Sequence, residues 1–223
     1  LLTGQSPHEA GMFGQVHRGH TLTHPERHLA RFLKAHGYAT ALFGVQHELT
    51  EEQVATHYDT VVRLSPGPEE DRFDRDLRNA RAAAEQLRQW PGEKPLFLWA
   101  GFFSPHRPFR PHSLTDAERD RLFIPPPLAE TAASRRDFAD YRATVAVADE
   151  AVGILLEALE SEAGRNAMVM ITTDHGPAFP GMKCNLTDGG LGVTLMIDAP
   201  GLPRRGEATD ALVSHVDFFP TVC

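Results

Sequence analysis

The stretch MVMITTDHGPAFPGMK, Met168 to Lys183, brings a carboxylate, an imidazole and an ammonium into one short segment. A largely apolar run with two threonines ends on Asp174, His175 and Gly176, and a Pro/Gly loop leads on to Lys183. Neighbours on a regular strand point to opposite faces, so Asp174 and His175 could not share a ligand there. At a strand end the backbone turns, Gly176 permits conformations closed to other residues, and both side chains can face one point. A carboxylate oxygen beside an imidazole nitrogen suits a divalent cation, which needs further ligands from elsewhere. The plain alternative is a helix N-cap aspartate followed by a surface histidine. Lys183 is either a solvated lysine, the usual fate of that residue type, or a cation aimed at an anionic group beside a metal.

Among the 12 histidines, His47 and His106 stand out because each closely follows an apolar run. Imidazoles titrate near neutrality and can exchange protons with a nucleophile or a leaving group. His8, His17, His20, His24, His28, His36, His57 and His112 read as surface or packing residues.

These side chains need elements to position them. THPERHLARFLKAHGY predicts a helix capped by Thr23, with Pro25 in its first turn and Gly37 ending it. Ala39–Gly44, Asp59–Leu64, Pro95–Phe103, Ala167–Thr173 and Val193–Gly201 predict strands, Pro95–Phe103 the central one. EEQVATHY predicts a helical turn or two, and DRFDRDLRNARAAAEQLRQW a long charged helix. Tyr141, Val145, Ala148, Val152, Leu155 and Leu159 predict one apolar stripe on a long helix packed against the sheet. The proline-rich segment from Ser104 predicts a surface excursion with one short helix, and DALVSHVDFFPTVC a short strand and a helix start. The alternation implies an α/β fold, a mostly parallel sheet sandwiched by helices. Ligand sites in such sheets gather beyond the carboxyl ends of the strands. His47, His106 and Asp174-His175 are therefore expected on one rim.

Composition excludes several classes. A formal charge of −8, with basic residues scattered, argues against nucleic acid as partner. No window approaches the ~20 apolar residues of a membrane span. Cys184 and Cys223 are too few for a disulfide framework or a thiolate metal site. The opening LLTGQSPHEAG has neither the basic region nor the cleavage site of a signal peptide, and it lacks an initiator Met. A fragment is expected, with its compartment open. No glycine-rich phosphate loop and no G-x-S-x-G elbow is present.

Taken in order, the segments resemble the N-terminal catalytic domain of the sulfatases, in the alkaline phosphatase superfamily. Bacterial relatives of the heparan N-sulfatase type are the most similar in pattern. LLTG resembles the tail of the sulfatase signature, and HGYATALFGVQH the G-Y-x-T-x-x-x-G-K-x-H segment. FFSPHRPF resembles D-P-H-x-P, and TTDHG the S-D-N/H-G metal segment. MKCNLTDGGLGVTLMIDAPG resembles K-x-x-x-x-x-G-G-x-x-V-P-L, and VSHVDFFPTV the V-S-x-x-D-x-x-P-T segment. The match is collinear over almost the whole chain. It implies an alkaline phosphatase-like fold truncated at both ends, residues 1–223 forming one incomplete catalytic domain. It also implies that Asp174 and His175 are two ligands of a single divalent metal, usually Ca²⁺, the paired aspartates that complete the shell lying nearer the true N-terminus. Lys183 would bind sulfate oxygens, His106 would contact the sulfate and help protonate the leaving atom, and His47 would take a proton from the formylglycine nucleophile. That nucleophile is expected a few residues before Leu1, so the 223 residues alone are expected to be inactive. The substrate class implied is an anionic small molecule or sugar sulfate; sulfate esters and sulfamates both fit.

Three departures bear on this. Val45 stands where the family usually has lysine, Ser104 replaces the Asp before Pro-His, and His175 replaces the Asn of many calcium sulfatases. An imidazole ligand moves the metal toward Mn²⁺ or a similar ion, and that His is common in phosphonate monoester and phosphodiester hydrolases of the same superfamily. A non-catalytic, decayed binding domain is the third reading, with Val45 its best support.

Overall fold

The computed structural model describes residues 1–65, 67, 71–160, 164–202 and 206–223. The chain divides into two compact units, one of residues 1–64, 89–101 and 206–223, the other of 65–88 and 102–205.

The first unit is built on an apolar run. β1 (Ala39–Gly44) pairs in parallel with β2 (Thr60–Val62) on one side and with β3 (Leu96–Gly101) on the other. Sheet order is therefore β2-β1-β3, and β1, not β3, is the central strand among the described residues. Side chains decide this less than pairing does. A strand bonded on both edges and covered on both faces buries Thr40, Ala41, Leu42 and Phe43 together, whereas every residue of β3 is only half-buried.

Two helices cover part of this sheet. α1 (Leu29–Ala35) starts later than its sequence suggests, because Pro25–Arg27 forms a 3₁₀ turn first. His28, not Thr23, caps it: the ring Nδ1 accepts from the Ala30 N–H at 3.3 Å. That leaves the Nε2 proton of His28, buried at 1% exposure, to donate to Glu48 at 3.1 Å. α2 (Glu51–His57) is closed by a reciprocal Thr50–Gln53 capping box. Ala30, Leu42, Leu49, Val54 and Tyr58 form one cluster with Phe97 and Trp99 packed against it. Leu2, Leu29 and Leu33 form another, against Phe219 and Val222. Among the described residues, the expected short strand just before that last segment is not formed. The Ser214 N–H donates to Asp217 Oδ2 at 2.7 Å, and a 3₁₀ turn, His215–Asp217, runs straight into a helix at Phe218–Val222.

His57 gives this unit a pH signature. Burial holds its pKa below the usual histidine value, and its Nε2 lies 2.7 Å from the Pro25 carbonyl. The unfolded chain therefore takes up this proton before the folded one does. The contribution is complete above the unfolded pKa of about 6.5 and is lost as pH falls below it. Urea unfolding at pH 7 and pH 5 should show His57→Gln losing less stability across that interval than the parent.

The second unit rests on two helices, α3 (Asp74–Arg88) and α4 (Ala132–Ala158). Leu77 and Ala80 of α3 meet Val147 and Ala151 of α4, with Phe73 buried alongside and Phe102 and Ile154 at the margin. The buried residues of α4 are Ala139, Thr144, Val147, Ala151 and Ala158. This is the row beside the expected stripe, and Val145 of that stripe is exposed. Alanines at 80, 83 and 84 let a helix rather than a sheet approach closely, so small residues decide the face that larger ones suggested. The proline-rich excursion holds one short helix, Asp116–Asp120, anchored by Leu122 and Ile124 against Ala139.

β4 (Val169–Thr172) and β5 (Leu195–Asp198) complete the unit as an antiparallel pair, Val169 opposite Asp198. Among the described residues β4 pairs only with β5. A period of two or a plain apolar run marks a strand but carries no direction. The mostly parallel arrangement expected is met by β1–β3, and this pair is its antiparallel part.

Candidate active site

β1 and β3 end level with each other. Gly44 lies opposite Gly101, and the ladder closes with the Val45 N–H donating to the Gly101 carbonyl at 2.8 Å. A Cβ on Gly101 would fall 1.9 Å from the Val45 oxygen, so only glycine fits. The chain after β1 then turns on Gln46, whose Oε1 accepts from the Glu48 and Leu49 N–H groups at 2.8 Å each.

His47 sits in that turn, half-buried. Gln15 Nε2 lies 3.3 Å from its Nδ1, the Val16 N–H donates to its carbonyl at 2.9 Å, and the His17 ring meets it edge-on at 5.1 Å. One amide carries both a donor and an acceptor, so Gln15 can bond Nδ1 in either tautomer after a half-turn. Nothing in the spacing of Gln15, His17 and His47 points to this cluster; the contact is made by folding alone.

His106 follows β3 and belongs to the second unit. The carboxylate of Asp76, 2% exposed on α3, accepts from the Phe103 N–H at 2.9 Å and the Ser104 N–H at 2.7 Å. A buried acid thus fixes the loop at the position where the family pattern carries its own Asp. The His106 N–H donates to the Phe103 carbonyl at 2.8 Å, and its ring lies 4.6 Å from that of Phe103. Its Nδ1–H donates to the Arg107 carbonyl at 2.6 Å. A carbonyl only accepts, so the proton stays on Nδ1 and the exposed ring offers Nε2 outward.

Asp174 and His175 follow β4 as a turn. Asp174 Oδ2 and His175 Nε2 lie 3.4 Å apart, and His175 Nδ1–H donates to the Gly176 carbonyl at 2.7 Å. Both donor atoms therefore face one point, as a shared cation requires, and Asp174 does not cap a helix. Gly176 is seated on α5 (Asp188–Leu191): its N–H donates to the Gly190 carbonyl at 3.0 Å. The Lys183 N–H donates to the Pro177 carbonyl at 3.1 Å, closing the loop that begins at the acid. Its ammonium has no carboxylate partner among the described residues.

The donor set fits half of a divalent-metal shell. One anionic oxygen and one imidazole nitrogen, its far nitrogen already bonded, are suited to a cation of the Ca²⁺ or Mn²⁺ kind. No group of three or more His, Cys, Asp or Glu residues of metal-binding arrangement occurs among the described residues. Two of the five predicted site residues, Asp174 and His175, are thus in contact. His106 and Lys183 share their unit, and His47 lies in the other. Arg107, which links the two loops of the second unit, lies within FFSPHRPF, and an arginine next to a candidate histidine carries no signal by itself.

The sulfatase family model matches residues 1–223. Human N-sulphoglucosamine sulphohydrolase is 27% identical over the whole of this chain, which covers 49% of that protein. An ulvan-active sulfatase of Formosa agariphila is 32% identical over 61% of the chain and 24% of its own length. The endo-4-O-sulfatase of Bacteroides thetaiotaomicron is 28% identical over 58% of the chain and 28% of its own. The structure of BT4656 in complex with its substrate D-glucosamine-2-N,6-O-disulfate superposes with a TM-score of 0.70 at 18% identity, over 99% of this chain and 64% of that one. Ps i-CgsB gives a TM-score of 0.65 at 17% identity, over 99% and 58%. The architecture is thus α/β, a parallel sheet with flanking helices, and the chain spans about half the length of the human relative it matches. The chain belongs to the sulfatase family.

Proposed function

We propose that these residues form most of the catalytic domain of a metal-dependent sulfuric ester hydrolase acting on a sulfated or N-sulfated amino sugar. The observation that carries the reading is the 3.4 Å approach of the Asp174 carboxylate and the His175 imidazole on a strand-end turn, a loop away from Lys183. The substrate class is suggested by the names of the human relative and of the BT4656 complex.

A sulfate ester resists hydrolysis because its anionic oxygens repel a nucleophile and the alkoxide leaves poorly. Asp174 and His175 would hold the ion, Ca²⁺ or Mn²⁺, which when bound supplies a Lewis acid. Lys183 adds a positive charge for the sulfate oxygens. His106, its Nδ1–H committed to a carbonyl, would act as the imidazolium, giving the second ring proton from Nε2 to the departing oxygen or nitrogen and keeping the one on Nδ1. His47 would take a proton from the nucleophile, its ring oriented by Gln15. The nucleophile, a formylglycine, and the remaining metal ligands are assigned to sequence before Leu1.

His106→Ala in the complete protein tests the role of the acid. Turnover of a sugar sulfate should fall about a hundredfold, and that of a nitrophenyl sulfate far less, because its leaving group departs without a proton. Equal losses on both substrates would remove the assignment. Chelation should abolish both activities, with Ca²⁺ and Mn²⁺ compared for recovery. The second reading, a phosphonate monoester or phosphodiester hydrolase, is favoured by His175 alone. A higher kcat/KM for bis(nitrophenyl) phosphate than for the aryl sulfate would select it.

A further inference from the structure

The loop carrying His106 and the loop carrying Asp174, His175 and Lys183 must be held together for a common reaction, yet β4 pairs only with β5 among the described residues. Strand register does not supply the link. We propose that Arg107 supplies it, as a positioning residue that locks the His106 loop onto the Asp174–Lys183 loop; this rests on the function proposed above.

Every part of the Arg107 side chain is used. Its Nε donates to the Ala178 carbonyl at 2.9 Å, between Asp174 and Lys183. Its Nη1 donates to Asp137 Oδ1 at 2.9 Å and its Nη2 to Asp137 Oδ2, a two-pronged pairing with the long helix α4. The guanidinium plane lies 4.1 Å from the Phe109 ring centroid and 5.2 Å from that of Phe179. Phe179 also meets Phe109, Phe138 and Tyr141 at 5.4 to 5.9 Å, so the loop after Ala178 is pinned by aromatic packing on the same anchor. The loop is continuous with the site on both sides, because the Phe179 and Lys183 N–H groups donate to the Pro177 carbonyl at 2.8 and 3.1 Å. The Arg107 backbone contributes too, since its carbonyl accepts the His106 Nδ1 proton. One residue thus fixes the orientation of the proton donor and the position of the metal loop. A lysine has no planar fork and cannot make these directional contacts together.

The test compares Arg107→Gln, Arg107→Lys, His106→Ala and the Arg107→Gln/His106→Ala double variant of the complete protein. It reads kcat and KM on a sugar sulfate, with hydrogen exchange over residues 103–109 and 176–183. Exchange should speed up in both segments together. Both Arg107 variants should lose about a hundredfold in kcat, the expected cost of an ångström of misplacement, with KM nearly constant. In the double variant, His106→Ala should cost little more than Arg107→Gln alone, since coupled residues are not additive. Unchanged exchange in either segment overturns the lock whatever the turnover. Loosened segments with full kcat, or losses that multiply in the double variant, overturn its positioning role. If His106→Ala itself keeps full activity while both segments loosen in Arg107→Gln, the lock stands and the assignment of His106 falls. Asp137→Asn keeps the stacked guanidinium and should show the same pattern in milder form, which keeps the test decisive if Arg107→Gln does not fold.

Discussion

Asp174→Asn should cost the complete protein on the order of 10³-fold or more in turnover while leaving its fold almost intact. The side chain is 87% exposed and lies against the His175 ring, so the apo protein loses no buried contact. The amide keeps the shape and one oxygen of the carboxylate but not its charge, which is the property a divalent cation binds. Two measurements separate this from general damage. Without metal, parent and variant should unfold at nearly the same temperature. With excess Ca²⁺ or Mn²⁺, only the parent should gain stability, because a ligand stabilises the state that binds it. Normal turnover in the variant would remove Asp174 from the metal site. A decayed binding domain makes the contrasting forecast that neither protein responds to the ion.

Gly176→Ala should damage both stability and chemistry. A Cβ there would lie 1.8 Å from the Gly189 oxygen and 2.8 Å from the Gly189 carbonyl carbon. Both obstacles are backbone, and Gly190 behind them is equally confined, its own Cβ falling 2.2 Å from the Asn185 oxygen. No side chain can rotate away, so the turn must move by about an ångström and break the Gly176–Gly190 hydrogen bond. Overpacking of this kind costs roughly 1–3 kcal/mol, and an ångström at a reacting centre costs about 10²-fold in rate. Gly153→Ala is the matched control. A Cβ there meets nothing within 4 Å on an α4 position, and the change should stabilise by roughly 0.5–1 kcal/mol. Urea unfolding of the two variants and metal titration of Gly176→Ala check these statements. An alanine at 176 with parental metal affinity would show that the turn does not depend on its seat.

How legible each feature was in the sequence depended on how local its cause is. Ala39–Gly44 was readable to the residue because a short, mostly apolar run needs no partner to identify it. The turn of Asp174, His175 and Gly176 at the end of β4 was readable because adjacent residues make it. Features fixed by partners were not. The direction of β5, the face α4 buries and the capping of α1 by His28 all depend on what lies opposite. The same holds for the residues around the site. Gln15 meets His47 across 32 residues, Asp76 the Ser104 N–H across 28, and Asp137 meets Arg107 across 30. Arg107 was in plain view and still carried no role, because its function is a geometry of three contacts and two rings.

The glycine rung at the end of the parallel sheet, Gly44 opposite Gly101, has a consequence for how this scaffold can be altered. With no side chain on either partner, the last ladder position transmits little of what is substituted immediately beyond it. Libraries randomised at residue 45 and at exposed sites after His106 should therefore give well-expressed proteins with divergent substrate ranges, whereas randomising the rung itself should abolish soluble expression. New specificity could then arise at the tips without any redesign of the strands beneath.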